Sequence, residues 1–282
     1  SVADLLRPVY DRTDGADGFA SLEVNPHLAH DTEATVAEAR RLYAELGRPN
    51  VMMKVPATPE GVPAVHRLIG EGINVNVTLL FSLSAYSDIR QAYIAGLEDL
   101  LWSGGDAGKV ASVASFFVSR VDTAVDARLD NSGDERSELV GRAAIANAKL
   151  AYRDFTEDFE ASRFALLRAK GARVQRPLWA STSTKNPAFR DVLYPESLMG
   201  PDTVDTMPEA TLMAFLEHGQ VAPTLDQDIE GAEQTFAALE EAGISMEKVT
   251  AEVLDNGVKL FADSFDTLMA DIERKRARLT AS

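Results

Sequence analysis

Apolar positions along the chain follow two alternating patterns, one with the two-residue or continuous character of strands, the other with the three-to-four-residue spacing of helices. Six short apolar runs read as strands: residues 19–24, 51–55, 73–81, 110–121, 177–182 and a weaker run at 203–207. After the first run, Val36, Ala39, Leu42, Tyr43 and Leu46 recur at helical spacing, with Asp31 placed to cap the helix and Gly47 to end it. After the second, Thr58-Pro59-Glu60 supplies a cap, a first-turn proline and an early carboxylate. Val62, Val65, Leu68 and Ile69 then form the apolar face, and Gly70 the stop.

Strands bounded by helices in this order predict successive βα units and hence a parallel sheet. Residues 134–170 predict a long or paired helix whose charges, among them Glu157, Asp158 and Glu160, form a solvated face. Residues 225–279 are helical again and end in the mixed-charge tail Asp271-Ile272-Glu273-Arg274-Lys275-Arg276, suited to a last helix facing solvent. Neither a fixed-period repeat nor a low-complexity linker interrupts the pattern, so residues 1–282 are expected to form a single α/β domain. A closed (β/α)8 barrel needs eight units. An open doubly wound sheet accepts six but usually carries a glycine-rich phosphate turn after an early strand. The nearest candidate, Gly104-Gly105-Asp106-Ala107-Gly108, follows a helical pattern and precedes a strand, which makes it a connecting loop.

Composition narrows the chemistry. The 282 residues are 45% hydrophobic and 26% charged, enough to bury a full core. No apolar stretch approaches membrane-span length, and the first twenty residues, with Asp4, Arg7, Asp11 and Arg12, lack a signal-peptide apolar region. A cytoplasmic protein with no membrane partner is expected. The absence of cysteine excludes disulfides, thiolate nucleophiles and thiolate metal sites, and the histidines His27, His30, His66 and His218 show no metal-ligand spacing. Neither a metal nor another cofactor is expected. A net charge of -16 argues against nucleic acid as a partner, because such binding draws on a basic surface. A small anionic substrate would have to meet a few local cations in a pocket.

Lys54 lies in Val51-Met52-Met53-Lys54-Val55-Pro56, an apolar run that reads as a buried strand. Desolvation pushes a lysine pKa down and so makes free amine, the form that attacks a carbonyl, available near neutral pH. A lysine ending a strand also has an ordinary use, with its head in water or paired to a carboxylate. In a βα barrel, chemistry sits at the C-terminal strand ends. Polar residues gather there: Glu23 in the first run; Asn74, Asn76 and Thr78 on one face of the third; Ser115 and Arg120 in the fourth; Ser181 and Lys185 around the fifth. Each has a structural alternative. Glu23 pairs with Lys54 for stability alone, Asn76 and Thr78 satisfy backbone groups inside the barrel, or Arg120 bridges to Asp122 on the surface. Together they supply an imine-forming amine, a proton-transfer partner and an anion clamp for a carbonyl substrate bearing phosphate.

Five segments sharpen this: Ser21-Leu22-Glu23-Val24, Lys54-Val55-Pro56-Ala57-Thr58, Gly72-Ile73-Asn74-Val75-Asn76-Val77-Thr78-Leu79-Leu80-Phe81-Ser82, Ser115-Phe116-Phe117-Val118-Ser119-Arg120 and Trp179-Ala180-Ser181. On these the chain resembles the transaldolases of the longer bacterial type, over most of its length and in the family's order. The stretch ending Thr78-Leu79-Leu80-Phe81-Ser82 is the most specific; Lys54-Val55-Pro56-Ala57-Thr58 also fits the smaller fructose-6-phosphate aldolases.

The resemblance implies a TIM barrel of the class I aldolase type, of which about six βα units are visible here, and an aldol mechanism without metal. Under it, Lys54 attacks the C2 carbonyl of sedoheptulose 7-phosphate or fructose 6-phosphate and forms a protonated imine, the electron sink when the C3–C4 bond breaks. A dihydroxyacetone unit then passes to glyceraldehyde 3-phosphate or erythrose 4-phosphate, a step of the pentose phosphate pathway. Glu23 and Thr78 match the pair that positions a proton-shuttling water, and Asn76 the amide that contacts the bound three-carbon unit. Ser115 and Arg120 match part of the substrate and phosphate site, and Ser181 a substrate-contacting serine. Lys185 stands, with a loop offset, for an arginine that holds phosphate, as a point charge rather than a fork. The implied partners are sugar phosphates, and the expected state is a monomer or homodimer.

Similarity begins in what resembles the helix before the family's third strand. The domain is therefore expected to be N-terminally incomplete, without two βα units, the aspartate that takes the C4 hydroxyl proton, and the second strand's asparagine motif. Alternatives are a fructose-6-phosphate aldolase, which releases free dihydroxyacetone, and a non-catalytic sugar-phosphate-binding remnant. An isolated chain with an open barrel side is expected to be poorly stable.

Overall fold

The structure is a computed structural model and describes residues 1–132 and 137–280, so the first residues of the helix predicted from 134 lie outside it. Helix α1 (Val2–Arg12) leads into strand β1 (Ala20–Glu23), and α2 (Thr32–Leu46), β2 (Val51–Pro56), α3 (Gly61–Gly70), β3 (Val75–Leu80), α4 (Leu83–Trp102) and β4 (Ser112–Phe117) follow in alternation. Helices α5 (Ser119–Ser132), α6 (Ala143–Glu160) and α7 (Ser162–Arg168) separate β4 from β5 (Arg176–Ala180), and the short α8 (Leu193–Ser197) precedes β6 (Val204–Asp205). The chain closes with α9 (Glu209–His218), α10 (Ile229–Glu241) and the long α11 (Met246–Thr280). The six strands pair in parallel in sequence order, with β1 and β6 at the edges of one curled sheet that is consistent with a partial TIM barrel.

Strands β2, β3 and β4 are buried almost throughout, which is why they read as near-continuous apolar runs: a parallel sheet is covered on both faces. On the helix side Phe116 and Trp179, partners in register, meet edge to face at 6.1 Å, and Tyr86 of α4 packs on Phe116 at 5.9 Å. Burying one side chain of this size contributes about 2–3 kcal/mol. The neighbours of Phe116 in sequence, Ser115 and Phe117, point the other way and line the concave face.

Several sequence expectations hold in detail and three shift. Asp31 caps α2 through the Ala34 N–H at 2.9 Å, and Gly47 ends it at φ 55, a conformation that favours glycine. The run 110–121 is a strand only to Phe117; Ser119 opens α5, so Arg120 stands on the first turn of a helix rather than on a strand. Helix α3 starts at Gly61, beyond the expected cap, although Thr58 Oγ1 does accept from the Gly61 N–H at 3.0 Å. Asp158 is no free surface charge: it pairs at 2.6 Å with Arg90, whose side chain is 4% exposed, and a buried guanidinium without a partner is costly.

Helix α11 packs against β3, α5 and the 3-10 turn Pro26–Leu28 that follows β1, while its charged tail is exposed. Among the described residues no helix is long and apolar enough to cross a membrane.

Candidate active site

Strand register places Glu23, Lys54 and Asn76 in one row across β1, β2 and β3. Residues in register on parallel neighbours point to the same face. All three enter the concave side, where with Thr78, Ser115 and Phe117 they line a cavity of about 320 Å³. Lys54 Nζ is 3.8 Å from Glu23 Oε2, and the two side chains are 24% and 28% exposed, placed between core and solvent. Burial pushes the Glu23 carboxyl above its ordinary pKa, and the Lys54 ammonium offsets part of that rise.

Asn76 is held from both sides. Its Nδ2 donates to Ser21 Oγ at 3.0 Å and its Oδ1 accepts from Ser115 Oγ at 2.7 Å, so the amide cannot rotate without breaking both bonds. Thr78 is different: its Oγ1 is buried without a protein partner. A hydroxyl left so costs about 1–3 kcal/mol, and Thr78 is among the residues that line the cavity. Asn74, on the same face of the third run, follows the structural alternative. It donates to the Pro49 and Val51 carbonyls and accepts from the Ala111 N–H, tying the strands together at their N-terminal end.

Arg120 does not bridge to Asp122. Asp122 is buried and accepts instead from the Ala144 N–H and the Tyr194 hydroxyl, both at 2.8 Å. The Arg120 guanidinium lies 4.9 Å from the Phe117 ring and 5.9 Å from the Phe261 ring of α11, its Nη1 is buried without a hydrogen-bond partner, and no carboxylate among the described residues pairs with it. Burial alone pulls its pKa below the usual guanidinium value. The same Phe261 ring is 5.2 Å from Lys54 Nζ, so Arg120 and Lys54 share a neighbour.

Ser181 and Lys185, like Arg120, are not among the residues that line the cavity. Ser181 Oγ is 2.9 Å from Ser119 Oγ, and its carbonyl accepts from the Ser119 N–H at 3.1 Å, so it secures the start of α5 next to Arg120. Lys185 donates to Ser183 Oγ in the loop after β5. Two residues at these strand ends, Leu79 (φ 58) and Ser181 (φ 59), adopt the left-handed conformation that costs a non-glycine residue about 1–3 kcal/mol, strain of the kind that clusters at working sites.

Sequence reasoning missed Ser21, Thr206 and Phe261 as neighbours of Lys54 and its shell. The two-residue strand period puts Ser21 on the face of Glu23, and Thr206 lies inside the weak sixth run, so both had a local signal. Phe261 had none, because only the path of α11 brings it there. Among the described residues no three His, Asp or Glu side chains gather to hold a metal ion; each histidine instead meets one carboxylate, as His27 meets Asp266 at 2.8 Å.

A family model described as transaldolase/fructose-6-phosphate aldolase matches residues 1–272. A transaldolase of Acidothermus cellulolyticus is 49% identical over 276 residues, covering 98% of this chain and 74% of its own. A transaldolase 1 of Streptomyces coelicolor is 50% identical over 276 residues (97% and 72%), and a transaldolase 2 of Nostoc sp. 46% identical over 287 (98% and 75%). With the family model matched over residues 1–272 and nearly half of its residues shared with these relatives across almost its whole length, the chain belongs to the transaldolase/fructose-6-phosphate aldolase family of enzymes.

Proposed function

We propose that this enzyme is a transaldolase acting through a Schiff base on Lys54. The free amine of Lys54 adds to the C2 carbonyl of a ketose phosphate, and loss of water gives a protonated imine. The C4 hydroxyl gives its proton to the cavity water as cleavage of C3–C4 sends its electron pair into the imine, leaving an enamine on Lys54 and releasing an aldose phosphate. The enamine carbon then attacks the aldehyde of the acceptor, whose oxygen takes the proton back, and hydrolysis frees the lengthened ketose and the amine. Glu23 and Thr78 hold the water that carries protons to and from the carbinolamine. Asn76, fixed by two serines, contacts the hydroxyls of the bound three-carbon unit. Ser115 and Arg120 take the remainder of the substrate with its phosphate, assisted by Ser181 and Lys185.

The observation that carries this reading is the Glu23-Lys54-Asn76 row with the unpartnered Thr78 hydroxyl beside it. Borohydride added with fructose 6-phosphate should reduce the imine and place a stable adduct on Lys54, mapped by peptide mass; no adduct, or one on another lysine, overturns the reading. The family name also covers fructose-6-phosphate aldolases. Sustained glyceraldehyde 3-phosphate release with no acceptor aldehyde would assign that activity instead. Residues 1–282 act in this reading as one domain, in the cytoplasm where sugar phosphates are made.

A further inference from the structure

The geometry points to Phe261 as a positioning residue that braces the Arg120 guanidinium, together with Lys54, for an anionic substrate. The inference rests on the substrate-site reading just given for Arg120 and Lys54, and extends it to α11, a helix that reading does not use. A guanidinium in a protein interior is usually held by a carboxylate, and a carboxylate there would compete with the phosphate for the same fork. Arg120 is held by aromatic rings instead, Phe117 at 4.9 Å and Phe261 at 5.9 Å, both within cation–π range. Its Nη1 stays buried and unpartnered. The cation is thus located without being neutralised. Lys54 Nζ, 5.2 Å from the Phe261 ring, is approached in the same way.

The placement of Phe261 is built into the fold. One turn earlier on α11 is Gly257, where an added Cβ would lie 3.1 Å from the Leu79 side chain, which would have to give by a few tenths of an ångström, and 3.7 Å from Arg120 Nη1, so the helix passes in direct contact with the guanidinium. Outside the site α11 is pinned twice, by Glu252 to Arg128 of α5 and by Asp266 to His27 in the turn after β1. Phe261 falls between the two pins.

The test uses the full chain and inorganic phosphate as the probe, with calorimetry on the wild type and on Phe261→Leu, Phe261→Tyr and Arg120→Gln. We expect Phe261→Leu to weaken phosphate binding about five- to tenfold, Phe261→Tyr to restore it, and Arg120→Gln to abolish it. Equal affinity in the wild type and Phe261→Leu, phosphate binding that survives Arg120→Gln, or no phosphate binding by the wild type overturns the proposal. Should Phe261→Leu fail to fold, Phe261→Met, closer in reach, takes its place under the same criteria. Borohydride labelling of Lys54 is measured separately: its absence in the wild type overturns the Schiff-base reading, whereas the phosphate titration decides the role of Phe261.

Discussion

Lys54 Nζ faces Glu23 Oε2 at 3.8 Å, inside the range of an ion pair and beyond that of a hydrogen bond. The strand burial expected from the sequence is therefore only partial at the side chain, which turns into the cavity. In the Schiff-base reading proposed for Lys54, so loose a pair leaves the amine able to meet a carbonyl carbon without first breaking a hydrogen bond to Glu23.

Glu23 should set an acid limb. Its carboxyl is raised by burial, so it loses its proton at a higher pH than a surface glutamate. If the carboxylate accepts a proton in imine formation, kcat/KM rises with pH through a midpoint above the ordinary 4.5. Glu23→Gln should lower kcat about a hundredfold and erase that limb. A pH profile of the variant that keeps the wild-type midpoint would show the proton acceptor to be elsewhere.

Thr78→Val separates stability from chemistry. The hydroxyl has no protein partner to lose, so the variant should be as stable as the wild type or more stable, by up to about 1 kcal/mol. Its rate of imine trapping should nevertheless fall about tenfold. Denaturant titration beside borohydride labelling checks both, and a loss of stability with unchanged labelling would mean that Thr78 serves only the fold.

Asn76→Ala should do the reverse of Thr78→Val on stability. It removes the common partner of Ser21 and Ser115 and leaves the buried Ser115 hydroxyl unsatisfied, at a cost of about 1–3 kcal/mol. The Michaelis constant for the ketose donor should rise as well. Thermal melts and steady-state kinetics report the two effects, and an unshifted melting temperature would refute the bracing role.

Asp122 makes stability depend on pH outside the cavity wall. It links α5 to the start of α6 and to Tyr194 of α8, and burial pushes its carboxyl up to about 6, only partly offset by the bonds from Ala144 and Tyr194. A carboxyl raised above its unfolded value of 3.8 holds protons more tightly when folded. Stability therefore falls as pH rises from about 4 to about 6, by on the order of 3 kcal/mol, and stays lower above that window. Asp205, also raised to about 6 by burial, slopes the same way. Denaturant titrations across that window should show Asp122→Asn with a clearly shallower decline than the wild type; an unaltered slope would remove Asp122 from the account.

Much of this protein was legible in one dimension because the relevant physics is local. Alternating apolar periods announced six parallel strands, and Asp31 and Gly47 marked the ends of α2, since caps are set by neighbouring backbone. Lys54, Glu23 and Asn76 announced themselves as polar residues inside strands that are otherwise apolar. What the sequence left open was which polar residue serves chemistry and which serves the fold. Asn74 and Asn76 look alike on one strand face, yet the first ties loops and the second enters the cavity, a distinction made by register with neighbouring strands. For Arg120 the sequence allowed a surface bridge to Asp122 beside a role in the site; the start of a helix at Ser119 sends Asp122 into the core and Arg120 towards Phe261. Phe261 itself belongs to a helix whose amphipathic pattern names a buried face without naming the surface it meets. Local spacing determines elements and their faces, whereas contacts between distant elements depend on how the sheet curls and where the last helix crosses it.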